Sequence, residues 1–190
     1  LLDGAEVNLY GTDPKKSDSD SDGLTDDKEI YAGGLMINEI YTGSDWIEII
    51  NLGDAQDMTG WKLYIWDENG QQIYNFPTGF TIGKYAIVQI HEYGEIWDNN
   101  GTDLYTGKNI YWVSYTKGAV SLVNETDGVV DHVQFNGWTG TPLPGTDWTG
   151  IFYPGSDKDL YRITLEDTDT ASDWYSSDSA TPKSLNPGQY

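Results

Sequence analysis

Between Leu35 and Thr164 the chain is a series of short apolar runs, each closed by glycine or a polar turn. This spacing constrains the fold more than any other feature. The runs are Leu35 to Tyr41, Asp45 to Ile50, Trp61 to Trp66, Gln72 to Phe76, Tyr85 to Ile90, Ala119 to Val123, Val129 to Phe135 and Leu160 to Thr164. All are of strand length, and Ile, Val, Tyr and Trp dominate them, which predicts β-strands rather than helices. Asn69-Gly70 stands between two runs. That pair predicts a hairpin, because both residues tolerate the positive φ of a tight turn. The reading is all-β, with two packed sheets.

Side-chain alternation supports it. In Asp45 to Ile50, Ile47 and Ile49 share a face opposite Trp46 and Glu48. In Trp61 to Trp66, Trp61, Leu63 and Ile65 share a face, and Trp61 is expected in the core. Seven or eight such strands predict an immunoglobulin-like β-sandwich over residues 35–190. Residues 91–118 and 137–158 are longer and more aromatic than a compact sandwich needs. They are read as elaborated loops carrying Trp97, Tyr105, Tyr111, Trp112, Trp138, Trp148 and Tyr153.

Residues 1–34 are of another kind. Residues 18–29 read Asp-Ser-Asp-Ser-Asp-Gly-Leu-Thr-Asp-Asp-Lys-Glu, with oxygen-bearing side chains at positions 1, 3, 5, 9 and 12 and glycine at 6. Calcium takes six to eight hard oxygens, and alternate residues of a curling loop point inward toward one ion. Asp18, Asp20 and Asp22 are the first expected ligands, and Gly23 takes the sharp turn. Leu24 offers its carbonyl, Asp26 ligates directly or through water, and Glu29 closes the site with both oxygens. The alternative is a solvated acidic linker. Gly11 and Pro14 oppose an incoming helix, so only a short outgoing one is expected, near Asp26 to Tyr31.

A loop with one short helix, preceded by Gly11-Thr12-Asp13-Pro14, resembles thrombospondin type 3 repeats and related bacterial calcium repeats. A shift of 23 residues superposes Leu1 on Leu24, Asp3 on Asp26, Glu6 on Glu29 and Val7 on Ile30. The chain is therefore expected to begin inside a preceding loop, with more repeats upstream. Weak calcium sites stay filled outside cells and stiffen a linker, a structural use favoured here over signalling.

The main body has its own resemblance. Ile37-Asn38-Glu39-Ile40 is followed by Asp45-Trp46-Ile47-Glu48-Ile49 and Asn51-Leu52-Gly53. Then come Met58-Thr59-Gly60-Trp61-Lys62-Leu63, Phe76-Pro77 and Thr81-Ile82-Gly83. Gly128 to Val133 and an ending from Ala180-Thr181-Pro182 to Asn186-Pro187-Gly188 complete the order. Over residues 35–188 this resembles the lamin-tail domain of exported prokaryotic proteins. The resemblance implies a non-catalytic binding or tethering module, extracellular or on the cell surface, with a protein or envelope component as partner.

Composition narrows the function classes. Against 31 acidic residues stand 10 basic ones, of which Arg162 is the single arginine. So negative a chain repels phosphate backbones and anionic lipid, which argues against nucleic acid and against direct membrane insertion. Cations are its natural partners. Cysteine is absent, which removes thiolate sites and disulfides. Only His91 and His132 titrate near neutrality, and Asp131 and His132 alternate on their strand, so no dyad is expected there. No catalytic residues are assigned. The aromatic insertions, with nearby Asp and Asn, suit a glycan as the alternative ligand, against a reading in which they pack the loops onto the sandwich. Asp98 to Asp103 is read as an ordinary turn, with a second cation as the alternative.

Overall fold

The computed structural model describes residues 13–16, 19, 34–95, 98–112 and 117–189. The expected ligands Asp18, Asp20, Asp22, Leu24, Asp26 and Glu29, and the short helix after them, lie outside these residues.

Among the described residues twelve strands follow one another: β1 (Leu35–Tyr41), β2 (Trp46–Asn51), β3 (Gln56–Asp57), β4 (Lys62–Asp67), β5 (Gly70–Asn75), β6 (Thr81–Ile82), β7 (Ile87–His91), β8 (Asp103–Tyr105), β9 (Gly118–Val123), β10 (Val129–Phe135), β11 (Asp159–Arg162) and β12 (Trp174–Ser177). They build a six-stranded sheet in the order β12-β11-β1-β2-β7-β8 and a four-stranded sheet in the order β10-β9-β4-β5. A small β3-β6 ribbon stands apart. This is the immunoglobulin-like β-sandwich that the strand spacing predicted.

The core lies between the two sheets. Ile37, Ile40, Ile47, Ile49, Val88, Ile90 and Leu160 come from the first, and Leu63, Ile65, Val120, Leu122, Val133 and Phe135 from the second. Every second residue along β2 and β4 points inward, so their predicted faces hold, and Trp61 is buried. In β1 a bulge between Ile37 and Glu39 shifts the alternation, so Ile37 and Ile40 both reach the core. Asp67 pairs with Gly70 across the β4-β5 hairpin, and Gly70 takes a φ of +114°.

Three features differ from the expectation. Residues 91–118 are not only a loop: β8 pairs in parallel with β7, and Leu104, Ile110 and Trp112 fill the core. Trp112 Nε1 donates to Trp66 O at 3.0 Å. Strand β12 closes the six-stranded sheet, although Trp174-Tyr175-Ser176-Ser177 carries only a weak strand pattern. Glu48, on the outer face of β2, is wholly buried, because the C-terminal segment crosses above it.

The two sheets are also tied by charge. Arg162 is fully buried and gives Nε to Ile37 O, Nη2 to Asp131 Oδ1 and Nη1 to Asp167 Oδ1, each at 2.8 Å. Asp131 Oδ2 accepts Ile37 N at 2.6 Å, and the guanidinium lies 5.0 Å from the Trp174 ring. A planar five-donor group suits a site where several acceptors meet. Burial opposes its charge, but Asp131 and Asp167 outweigh this and raise its pKa.

Candidate functional site

The outer face of the four-stranded sheet carries a cluster of aromatic rings. Tyr64 and Trp66 project from β4, Ser121 from β9, and His132 and Gln134 from β10. The 137–158 segment folds back over them. Trp138 lies 5.3 Å from Trp66 and 6.1 Å from His132 between ring centres, and Trp148 stands edge-on to His132 at 6.3 Å. Much of the aromatic content therefore packs this loop onto the sheet, as one of the two readings of the insertions expected.

Beyond these rings the segment leaves a recess of about 150 Å³. Gln134, Trp138, Thr139, Ile151 and Tyr153 line it. Ile151 and Tyr153 are each 69% exposed, unusual for side chains of this size. Gly137, at φ +66°, admits the Tyr153 ring: a Cβ there would come within 2.6 Å of the phenol oxygen. The recess offers ring faces, an amide and a hydroxyl, with no charged side chain on its walls.

The two histidines sit in different surroundings. Register places Ser121 opposite His132, and Ser121 Oγ lies 2.7 Å from His132 Nδ1. Both residues are buried, and burial pulls the imidazole down to about 4. The ring is thus neutral at physiological pH and sealed from solvent by tryptophan. Asp131, on the opposite face of β10, serves Arg162 instead. His91 Nε2 lies 3.1 Å from Asp103 Oδ1, with its ring stacked on Tyr105 at 5.0 Å.

Asp103 is a structural anchor. Burial works to raise its pKa, yet bonds from Lys183, His91 and Thr102 outweigh this and hold it below the usual carboxylate range. Asn100 Oδ1 accepts the amides of Thr102 and Asp103 at 2.8 and 2.9 Å, the Asx turn that the ordinary reading expected. Asp45 and Glu48, three positions apart, stand in different surroundings. Burial and then Glu92 raise Asp45 to about 7, whereas Glu48 has Glu39 as its neighbour.

Among the described residues, Asp131, Asp167 and Asp169 form the group of three carboxylates that converges within 4.8 Å. Arg162 already occupies that convergence. The Ser121–His132 pair escaped sequence reasoning because it depends on cross-strand register, which no local pattern reports.

An immunoglobulin-like sandwich with an aromatic-lined recess over its four-stranded sheet is the frame of a binding module. The profile of the Lamin Tail Domain matches residues 29–137, more than half of the chain. The chain belongs to the lamin tail domain family, whose immunoglobulin-like domain is non-catalytic. The match spans β1 to β10, so β11, β12 and the C-terminal segment extend beyond it. No curated protein matches the chain. No helix among the described residues is long and apolar enough to cross a membrane.

Proposed function

We propose that this chain is an extracellular or cell-surface tethering module in which a calcium-stiffened repeat carries a partner-binding sandwich. The observation that carries the reading is the register of Asp18, Asp20, Asp22, Asp26 and Glu29 around Gly23, directly before a lamin-tail sandwich. Without a cation, five carboxylates in one short loop repel one another. With calcium, their repulsion becomes ligation and the linker gains a fixed shape. The partner is a protein or envelope component, and the module's role is accessory.

Calorimetric titration of the chelator-stripped chain tests this, beside an Asp20→Ala, Glu29→Ala variant. Saturable binding of about one calcium, lost in the variant, is expected from a single twelve-residue loop. No heat up to millimolar calcium would leave residues 1–33 an acidic linker and end the stalk reading.

The recess favours a second reading, a glycan-binding face. Rings stack on the apolar faces of sugars, while Gln134 and Thr139 offer hydrogen bonds to hydroxyls. A neutral glycan also avoids the repulsion that so acidic a chain exerts on anions. Tryptophan fluorescence during titration with neutral polysaccharides tests it. A saturable change lost on Tyr153→Ala supports it, and a flat response to every polymer ends it.

A further inference from the structure

Three carboxylates lie side by side on the outer face of the six-stranded sheet: Asp159 on β11, Glu39 on β1 and Glu48 on β2. All three have zero exposure. Such groups are almost never fully buried unless paired with a cation. Here no cationic side chain pairs with any of them among the described residues. Lys183 sends its ammonium to Asp103 at 2.7 Å, and Lys158 sends its own to Asp178. Neither oxygen of Asp159 has a hydrogen-bond partner, and Glu48 Oε2 has none.

The cover over this row is the C-terminal segment. Thr181 N and Oγ1 donate to the two oxygens of Glu39 at 2.7 and 3.1 Å, and Lys183 N donates to Glu48 Oε1 at 2.5 Å. The chain then turns to uncharged anchors. Asn186 Nδ2 bonds Asn38 O at 3.1 Å, and Gln189 Nε2 bonds Arg162 O at 3.1 Å. Residues 178–185 thus cap Glu39 and Glu48, beside which Asp159 is buried against β12, while 186–189 are pinned without using them.

We infer that residues 178–185 are an acid-closed strap, held down by protons bound within the Glu39–Glu48–Asp159 row and loosened as the row loses them. A buried carboxylate row without a counter-charge is neutralised by a proton or a cation. The three groups stand on three successive strands, and they are not the trio whose oxygens converge on one point. The proton is therefore the neutralising species. Lifting the strap rehydrates the carboxylates while leaving the β11-β1-β2 ladder in place.

Protonation directions agree. Burial, then the adjacent Glu39 carboxyl, pushes Asp159 up to about 9, and burial, then Glu39 after the opposing Lys183 amide, leaves Glu48 at about 8. Other titratable groups facing the row are Tyr41 on β1, opposite Asp159, Tyr161 on β11, Tyr175 on β12, and Lys183 with its partners Asp103 and His91. Asp103, held low by its bonds to Lys183, His91 and Thr102, stays charged across the range of interest. Ordinary carboxyls ionise near 4. A pKa raised in the closed state favours closure fully below about 4, and this advantage is lost as pH rises toward 8 or 9.

The test is hydrogen exchange of the Thr181 and Lys183 amides from pH 5.5 to 8.5 in chelator, divided by intrinsic rates. The opening constant is expected to rise up to about tenfold per pH unit for each titrating carboxyl. Asp159→Asn is expected to reduce that slope, and Glu48→Gln serves as the independent variant should Asp159→Asn not fold. A flat wild-type profile, or an unchanged slope in the variants, overturns the inference. So does an equal loss of protection at Ile40 and Ile47, which would mean that the whole sandwich opens rather than the strap.

Discussion

Arg162 Nη2 and Asp131 Oδ1 meet at 2.8 Å inside the sandwich, joining β11 of one sheet to β10 of the other. Both side chains are at most 1% exposed, so neither could trade its partner for water. Removing one member of such a pair leaves a buried charge uncompensated, at a cost of about 3–5 kcal/mol. Arg162→Met is therefore expected to destabilise the domain by that amount in urea unfolding. Arg162→Met with Asp131→Asn should recover part of the loss, since the orphaned charge is gone.

His132 gives an acid limit of its own. Burial depresses its pKa to about 4, so the folded state resists a proton that the unfolded chain accepts near 6.5. The resulting stability is present above about 6.5 and lost as pH falls through 4, and it is on the order of 3 kcal/mol. Carbon-13 NMR titration should place the imidazole midpoint well below 6. Replacement by Gln should flatten the loss of thermal stability between pH 6.5 and 4.

Glycines separate by their surroundings. A Cβ at Gly118 would come within 2.3 Å of the Phe135 ring and 2.9 Å of Trp112 Nε1. Gly118→Ala is expected to cost about 1–3 kcal/mol through overpacking. Gly83 has open space around it and a backbone outside the left-handed region. Gly83→Ala should raise stability by about 0.4–1 kcal/mol, because it restricts only the unfolded chain. Denaturation midpoints of the two variants should move in opposite directions.

The insertion after β7 can be tested as core. Trp112→Phe leaves Trp66 O without its donor in a buried site, and a loss of about 1–3 kcal/mol is expected. Neighbouring Tyr111 is 41% exposed, and Tyr111→Ala should stay within about 0.5 kcal/mol. Equal effects at the two positions would place the segment outside the core.

The longest strands were legible because alternation and turn chemistry are local. Leu35–Tyr41 and Val129–Phe135 match their predicted runs at both ends, and Asn69-Gly70 marks the hairpin. Strand β8 was hidden because Asp103-Leu104-Tyr105 has a single inward residue, and its pairing with β7 is set by tertiary packing. The burial of Glu39, Glu48 and Asp159 was hidden for a different reason. Acidic residues on a strand's polar face read as solvent-exposed, and only the return of residues 178–189 converts that face to interior. Arg162, noticed as the single arginine, gave no sign of its partners, which lie up to 125 residues away. The ligand set of the calcium loop rests on the sequence register alone.

The position of β1 has a consequence for how the domain bears load. It is the first described strand, yet it lies inside its sheet, bonded along its length to β2 and near one end to β11. A pull applied along β1 from Gly34 therefore strains both ladders in parallel instead of peeling one bond at a time. Shear of this kind resists rupture until several bonds break together. Pulled from Gly34, the domain is thus loaded through the interior of a sheet rather than at its edge.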